Sequence, residues 1–387
     1  MRIDLSYIEE NHVKSCVDKL INNYMKNNVN IGFDVYMNHA LYDPNYGYYS
    51  SGSHKIGKMG DFITAPEISP IFAKCFAQAS RNIIKMYKNP VVMEIGAGLG
   101  TFAVDYFEEL INLNIPITKY YILEPSSDLR HVQQNYIKER IPCYFDSFEW
   151  VTQLPHKSFD GIIFANEVLD AMPVKLFEKK KNGVKELSVV MTGEKKIEFK
   201  MTDASADLQH EVDLIEDCVG ELGDSYRSEV NLWVAPWLCS LSECLNSGVI
   251  LLCDYGYSRS EYYHPQRNMG TLECYFRHQV HDDPLILTGL QDITAHVDFT
   301  RVAEAAESCG LDIEGYTTQG FFLTENNLKH YLDEIANGDE SDAQKIQSVK
   351  KLIMPSGMGE VFKVMALSKN YEGEITGFDS YDFTHVL

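Results

Sequence analysis

The sequence has no pair of cysteines at C-x-x-C spacing, no close histidine cluster, no long apolar run and no excess of basic charge. Each absence removes a class of protein. Nine cysteines scattered over 387 residues, an odd count, form neither a disulfide framework nor a zinc-binding spacing. Free, mostly buried thiols in a reducing compartment are expected. No apolar stretch approaches the roughly 20 residues that span a bilayer. Lys and Arg number 34 against 56 Asp and Glu, giving a net charge of −22. That balance disfavours a nucleic-acid backbone or an anionic membrane as the main partner, because both attract basic surface. A basic peptide or an arginine-bearing protein suits it better. The N-terminus, MRIDLSYIEENHVKS, lacks the apolar core of a secretory signal, and Asp4, Glu9 and Glu10 are out of place in an acid-poor organellar presequence. The expected location is the cytoplasm, or the mitochondrial matrix if a presequence has been removed.

What the chain does hold is aromatic and alternating. With 23 Tyr and 19 Phe, it can bury a large core, as two or three domains or as one elaborated domain. An amphipathic helix is expected over 7–30, a Gly- and Tyr-rich loop over 36–69, and a helix over 69–87 with Ser69 as its cap. Strands over 91–95, 119–123 and 161–165 alternate with helices over 101–111 and 128–139, and a short strand is expected near Cys143 and Tyr144. Such alternation predicts an α/β fold with a mainly parallel sheet buried on both faces. After Pro173 the pattern changes to a β-meander turning at Asn182-Gly183 and Thr192-Gly193, followed by an acidic helical stretch. These form an inserted cap. A helix over 229–245, a strand over 249–254, a helix ending on Gly310, a helical segment near 324–352 and a late strand over 360–369 follow.

The chemistry begins at VVMEIGAGLGTF, Val91 to Phe102. A dinucleotide fingerprint needs its third glycine where Thr101 stands, and a P-loop would end in Gly-Lys-Ser/Thr. The spacing here is G-x-G-x-G, through Gly96, Gly98 and Gly100, with Glu94 just ahead. Glycines at these positions let the main chain approach a ligand where a Cβ would collide. In YYILEPSS, Glu124 ends the next strand, where a carboxylate can accept from both hydroxyls of a ribose. Nothing in this arrangement asks for a phosphate, and S-adenosylmethionine is an adenosine ligand without one. A glycine turn after a strand is also ordinary connection chemistry, and Glu124 alone an ordinary surface acid; their conjunction with Glu94 points to a methyltransferase core. In FANEVLDAMPV, Asn166, Glu167 and Asp170 close the following strand, where a methyl donor and its acceptor would meet. A carboxylate there holds a guanidinium by a bidentate pair. Either Asn166 or Asp170 is expected to cap a following helix, and Glu167 to face the pocket.

GDFITAPEIS, EIGAGLGT, ILEPSSDLR, ANEVLDAMPV, DYGYSRSEYYHPQRNMGTLECYFRHQVHDDP and GLQDITAHVDF, in that order, resemble the motifs of the MidA family. The resemblance covers roughly residues 30–370. It implies a class I, Rossmann-like methyltransferase with a mainly parallel seven-stranded sheet and S-adenosyl-L-methionine as cofactor. The implied division is an N-terminal helical and lid segment over 1–88, a core over 89–173 and 229–370 with an acceptor-side loop over 255–298, the cap over 174–228, and a tail over 371–387. The implied acceptor is an arginine of a protein substrate, which for the mitochondrial members is linked to a respiratory complex. Gly60, Asp61 and Thr64 would then belong to a lid over the donor, with Glu67 nearby; a well-packed approach to the next helix is the other reading of that segment. Leu99 stands where many members have arginine.

Within that frame, Glu94, Gly96, Gly98, Gly100, Glu124 and Asn166 are the donor-side residues. Glu167 is the principal guanidinium holder, with Asp292 and His296 on the acceptor side. His296 also reads as an ordinary packed histidine, and shares a face with Asp298 if that run is extended. No metal is expected: methyl transfer from a sulfonium needs in-line approach and a polarised acceptor, and His281-Asp282-Asp283 reads as a solvated acidic loop. Tyr255, Tyr257, Tyr262, Tyr263 and Tyr275 either line the acceptor cleft or pack at the sheet edge. Arg259, Arg267 and Arg277 are expected to pair with internal acids such as Glu261 or Asp282. Two other functions fit the same residues: methylation of a different side chain or a small molecule, and a partner-binding factor that holds the donor without catalysis.

Overall fold

The computed structural model describes residues 5–25, 30–50, 63–193, 195–337 and 342–387. The chain starts with a helix over Tyr7–Tyr24, closed at its N-terminus by a reciprocal pair in which Ser6 and Glu9 each satisfy the other's backbone N–H. A second helix, Phe33–Tyr42, stands where a loop was expected. Its aromatic and polar residues gain their helical partner surface only from distant chain, the cap sheet described below. The third long helix, Ile71–Lys85, buries Phe72, Phe76 and Ile83 against the main sheet.

Strands β1 (Val91–Ile95), β2 (Lys119–Leu123), β3 (Phe148–Val151) and β4 (Phe159–Asn166) alternate with helices over Thr101–Asn112 and Ser127–Arg140. The segment around Cys143 and Tyr144 is a 3-10 turn, Pro142–Ser147, and the strand expected there begins at Phe148. Pro142 supplies no backbone donor, which suits a turn start and not a ladder. The cap carries β5 (Lys175–Lys180), β6 (Gly183–Thr192), β7 (Lys196–Asp203), a helix over Ala206–Val219, and β8 (Arg227–Val230). Strand β8 pairs with β5 from Lys175↔Val230 to Glu178↔Arg227, so the cap runs past the expected boundary at 228. The helix expected from 229 starts at Val234.

Strand β9 (Leu245–Tyr257) returns to the main sheet beside β4. A small antiparallel sheet follows, β10 (Glu273–Phe276), β11 (Gln279–His281) and β12 (Asp292–Thr294), and then a short β13 (Val297–Asp298). After the helix Phe299–Ser308 come β14 (Asp312–Thr318) and β15 (Phe362–Lys369), separated by helices that include Lys329–Ala336 and Asp342–Ile353. The main sheet orders β3-β2-β1-β4-β9-β15-β14, with β13 adding a short pairing at the end of β9. β15 is antiparallel to both its neighbours.

One apolar core lies on each face of this sheet. A third joins the two N-terminal helices to β5, β6 and the β10–β12 sheet, through Leu20, Phe33, Leu176, Val189 and Ile293. The N-terminal helices therefore belong with the cap, while Ile71–Lys85 belongs with the main sheet. Cys239 and Cys309 are joined as a disulfide, against the expectation that every thiol is free; the other seven cysteines are free, five of them buried. No helix among the described residues is long and apolar enough to cross a membrane.

Candidate active site

The chain runs outward from β1 through β2 to β3, then returns to β4 on the other side of β1. A ligand crevice is expected at the carboxyl ends of the strands at such a reversal. A cavity of about 1040 Å3 lies there. Single-ligand pockets span roughly 300–1,000 Å3, so it has room for a cofactor and part of a second molecule.

One end is built from β1, β2 and the glycine turn. Gly96, Gly98 and Gly100 have φ of 68°, 52° and 87°, a left-handed backbone that side chains disfavour whether or not a ligand is near. Gly96 and Gly98 line the cavity; Gly100 does not, and instead packs on Gln133 at the start of the helix. Glu94 lines the cavity floor. Burial pushes its carboxyl up to about 8, opposed by the Tyr120 hydroxyl, which donates to it at 2.7 Å. Glu124 is 5 % exposed and accepts the Ser126 N–H at 2.9 Å on one oxygen and the Gln133 amide at 3.2 Å on the other. A carboxylate has about four acceptor positions, so two remain for a ligand's hydroxyls. Burial raises its pKa as well, offset by those two donors.

Gln133 had no signature in the sequence. It is fully buried, donates to the Gly98 carbonyl at 2.9 Å and to Glu124, and accepts the Trp150 indole N–H at 3.0 Å. It ties the glycine turn to the ends of β2 and β3.

The other end starts where β4 stops. Glu167 has φ of 52°, and its N–H donates to the Cys253 carbonyl at 2.9 Å. No helix follows, so neither Asn166 nor Asp170 caps one. The backbone N–H groups of Val168, Leu169 and Asp170 instead converge on one oxygen of Asp254, at 3.1, 2.9 and 3.2 Å. This buried acid on β9 holds the turn that aims Glu167 and Asp170. Glu167 accepts the Asn166 amide at 3.0 Å and the Ala65 N–H at 3.4 Å. Burial, reinforced by the nearby charge of Asp170, pushes it up to about 8. Asp170 is pushed up to about 6 by burial, against a 2.7 Å hydrogen bond from the Tyr255 hydroxyl. Among the described residues, the side-chain oxygen of Asn166 has no hydrogen-bond partner.

The Ala295 N–H donates to the Asp170 carbonyl at 2.9 Å, which brings the 292–296 run alongside. Asp292 and His296 both line the cavity. Asp292 is 3 % exposed and takes the Tyr49 hydroxyl on both oxygens, at 2.9 and 3.1 Å. His296 stacks on Tyr257 and meets Tyr255 edge-on; burial, with Arg267 and Lys363 nearby, lowers its pKa to about 4, and its Nδ1 has no hydrogen-bond partner among the described residues. Asp298 goes elsewhere: it caps the helix Phe299–Ser308 and pairs with Arg259. Tyr255 and Tyr275 line the cavity, whereas Tyr262 and Tyr263 are packed around Glu229 in the cap. Arg259 also pairs with Glu304, and Arg277 reaches Glu9 of the first helix; Arg267 bonds the carbonyls of Glu261 and Tyr262 and lies over Tyr257.

Tyr42, Tyr49 and Glu273 also line the cavity. The two tyrosines come from the unforeseen second helix and the turn after it, and their rings stack at 5.5 Å. Thr64 and Glu67 line the wall near Glu167. Gly60 and Asp61 lie outside the described residues. The cavity thus has a glycine-and-carboxylate end suited to an adenosine ligand, and an end where four acids, Glu167, Asp170, Glu273 and Asp292, stand among tyrosines.

Residues 71–317 match the model of a family described as "Putative S-adenosyl-L-methionine-dependent methyltransferase". The chain is 26% identical over 368 residues to the mitochondrial protein arginine methyltransferase NDUFAF7 of Danio rerio, covering 86% of this chain and 82% of that protein. The human NDUFAF7 is 27% identical over 372 residues, covering 86% and 78%. A protein from Burkholderia thailandensis, crystallised with S-adenosyl-homocysteine, superposes with a TM-score of 0.92 at 33% identity over the full length of both chains.

Proposed function

We propose that this chain, which belongs to the MidA family of S-adenosylmethionine-dependent methyltransferases, methylates arginine side chains of a protein substrate. One observation carries the acceptor: four buried or half-buried carboxylates and four tyrosines, Tyr42, Tyr49, Tyr255 and Tyr275, surround the cavity beyond the end of β4. Burial raises the pKa of Glu167 and of Asp170, a cost of ionisation that a bound cation offsets. A guanidinium supplies that charge, offers paired donors to a carboxylate, and stacks on aromatic rings. The names of the mitochondrial relatives support the same reading, and a respiratory-complex subunit is the first substrate class to try.

S-adenosylmethionine supplies an electrophilic methyl group on a sulfonium. In this reading Glu124 holds the ribose through its two open acceptor positions, and the glycine turn lets the backbone close on the ligand. Glu167 and Asp292 hold the guanidinium in line with the methyl group. The new C–N bond forms as the C–S bond breaks, its electrons staying on sulfur, and the guanidinium loses one proton. Asp170, buried beside Glu167 and pushed up to about 6, is placed to take that proton. Asp254 fixes the turn and touches neither substrate.

Glu167→Gln tests the reading, because it keeps the shape and the hydrogen bonds from Asn166 and Ala65 while removing the charge. Donor affinity measured by calorimetry should stay within a few-fold, while transfer to an arginine-bearing protein, followed by mass spectrometry, should fall at least about a hundredfold, as for loss of a buried charge pair of ~3 kcal/mol. Wild-type turnover on a verified arginine substrate would remove Glu167 from the mechanism. Loss of donor binding would move it to the cofactor site.

A further inference from the structure

The four-stranded sheet of the cap ends on β7, whose outer edge has no strand partner among the described residues. Unpaired edges invite further pairing, and proteins commonly blunt them with proline, bulges or lysine. β7 has no proline, and its register with β6 runs unbroken from Lys185↔Asp203 to Thr192↔Lys196. Its odd-numbered residues face the core shared with the N-terminal helices. Ile197 is buried there, and the ring of Phe199 lies 5.8 Å from that of Phe33. Phe199 and Met201 nevertheless remain 37% and 42% exposed. Beside them runs a groove of about 730 Å3, lined by Val13, Val17, Leu285 and Ile286 with part of β7.

The strand reads Lys-Ile-Glu-Phe-Lys-Met-Thr-Asp from Lys196 to Asp203, and this order is complementary to itself. Antiparallel pairing about a two-fold axis perpendicular to the sheet keeps like faces together, so opposed residues must both be odd or both even. Centred on Phe199, Glu198 faces the partner's Lys200, Lys200 faces the partner's Glu198, Ile197 faces the partner's Met201, and the two Phe199 rings meet on the axis. Lys196 falls opposite the neutral Thr202. Moving the axis to Glu198 sets the two Glu198 carboxylates together and Lys196 against Lys200. Moving it to Lys200 sets two ammonium groups together. Directly opposed like charges destabilise a strand pair, whereas opposite charges and aromatic or apolar pairs stabilise it. Of these three registers only the one centred on Phe199 avoids repulsion, and it uses the edge lysine that would otherwise block pairing. A register centred on Met201 also avoids repulsion but forms no ion pair and sets Phe199 against Asp203, and one centred on Ile197 overlaps only three strand residues.

We propose that β7 pairs antiparallel with β7 of a second copy of this chain, centred on Phe199, joining the two caps through one continuous sheet. The apolar side of the paired strands extends the cap core across the axis and into both grooves. No β7 residue lines the cavity, so the assembly is separable from the methyl-transfer site.

Light scattering after size exclusion, on the full chain at micromolar concentration, should give twice the mass of one chain. Glu198→Lys, at an exposed position where Glu198 now pairs with Lys196 at 3.1 Å, places cations against the partner's Lys200 and should return the mass of one chain with donor affinity unchanged. Adding Lys200→Glu restores opposite charges and should restore the doubled mass. In a background carrying Cys143→Ser and Cys218→Ser, which removes the exposed native thiols, Phe199→Cys should form an interchain disulfide on oxidation, because opposed Cβ atoms lie within reach; Met201→Cys should not. A wild-type chain of single mass, a dimer indifferent to Glu198→Lys, failure of the double variant to recover, or cross-linking at Met201→Cys in place of Phe199→Cys would overturn the proposal.

Discussion

Replacing Glu124 by alanine isolates the proposed ribose contact. The carboxylate uses one acceptor position for Ser126 N–H and one for the Gln133 amide, leaving two for the hydroxyls of an adenosine ligand. Hydrogen bonds to a charged group contribute roughly 1.5–3 kcal/mol each. Burial raises the Glu124 pKa, so part of that gain offsets the cost of keeping the carboxylate ionised, and the lower figure applies. Two bonds at about 1.5 kcal/mol predict a loss of about 3 kcal/mol, close to a hundredfold in Kd at 1.4 kcal/mol per decade. Glu124→Gln, which retains an acceptor but no charge, should lose about tenfold by the same arithmetic. Titration calorimetry with S-adenosylmethionine and S-adenosylhomocysteine measures both. The two ligands share the ribose, so their affinities must fall by the same factor. An alanine variant that keeps wild-type affinity and a normal melting curve, or that weakens only one ligand, would refute the assignment.

Gly98→Val should abolish donor binding in calorimetry while leaving a folded chain by circular dichroism, since valine disfavours the left-handed backbone at φ of 52°. Gln133→Leu removes the tie among Gly98, Glu124 and Trp150 and should weaken donor binding about tenfold, with kcat at saturating donor little changed. The KM for an arginine-bearing substrate should fall as pH rises from 6 to 8, through the values to which Asp170 and Glu167 are pushed, because binding a cation there displaces protons; a flat profile would contradict it. Stability of the ligand-free chain should fall over the same rise in pH, even as substrate binding improves. Glu94 and Glu167 are both raised from 4.5 to about 8 in the fold, so the native state holds more protons than the unfolded chain between those values. Stability is then lost as pH rises through that window, and the melting temperature should be lower at pH 8.5 than at pH 5.5.

How much of this was legible depended on whether a residue's partners are local. β1 and β2 were read to the residue because each is a short apolar run bounded by turn or glycine residues, and the donor end follows directly from those bounds. Glu167 was legible for the same reason, being the acid after a buried strand. Asp254 was not, since it acts on N–H groups more than eighty residues away in sequence and looks like any acid at a strand end; its effect is that no helix follows Asn166. Gln133 sits in a polar helical run, VQQNY, that reads as surface. The helix Phe33–Tyr42 was hidden because its packing surface is the cap meander, and the Tyr-rich sequence after it suggested loop. The cap boundary slipped because Arg227–Val230 is too short to declare itself as a strand without β5.

The two ends of the cavity differ in how far the chain must travel to build them. The donor end is assembled from consecutive elements between Glu94 and Trp150 and closes over short loops. The proposed acceptor end draws on Tyr42 and Tyr49 from the second helix and the turn after it, Glu167 and Asp170 from the end of β4, and Glu273, Asp292 and His296 from the β10–β12 sheet and the turn beyond it. Contacts of such long sequence separation carry a larger loop-closure cost than those of the other end. The end suited to the methyl donor therefore orders with less loop-closure cost than the opposite end. This arrangement also leaves the two ends free to change separately: the wall at the far end can be redrawn from the N-terminal helices and the β10–β12 sheet without disturbing the glycine turn.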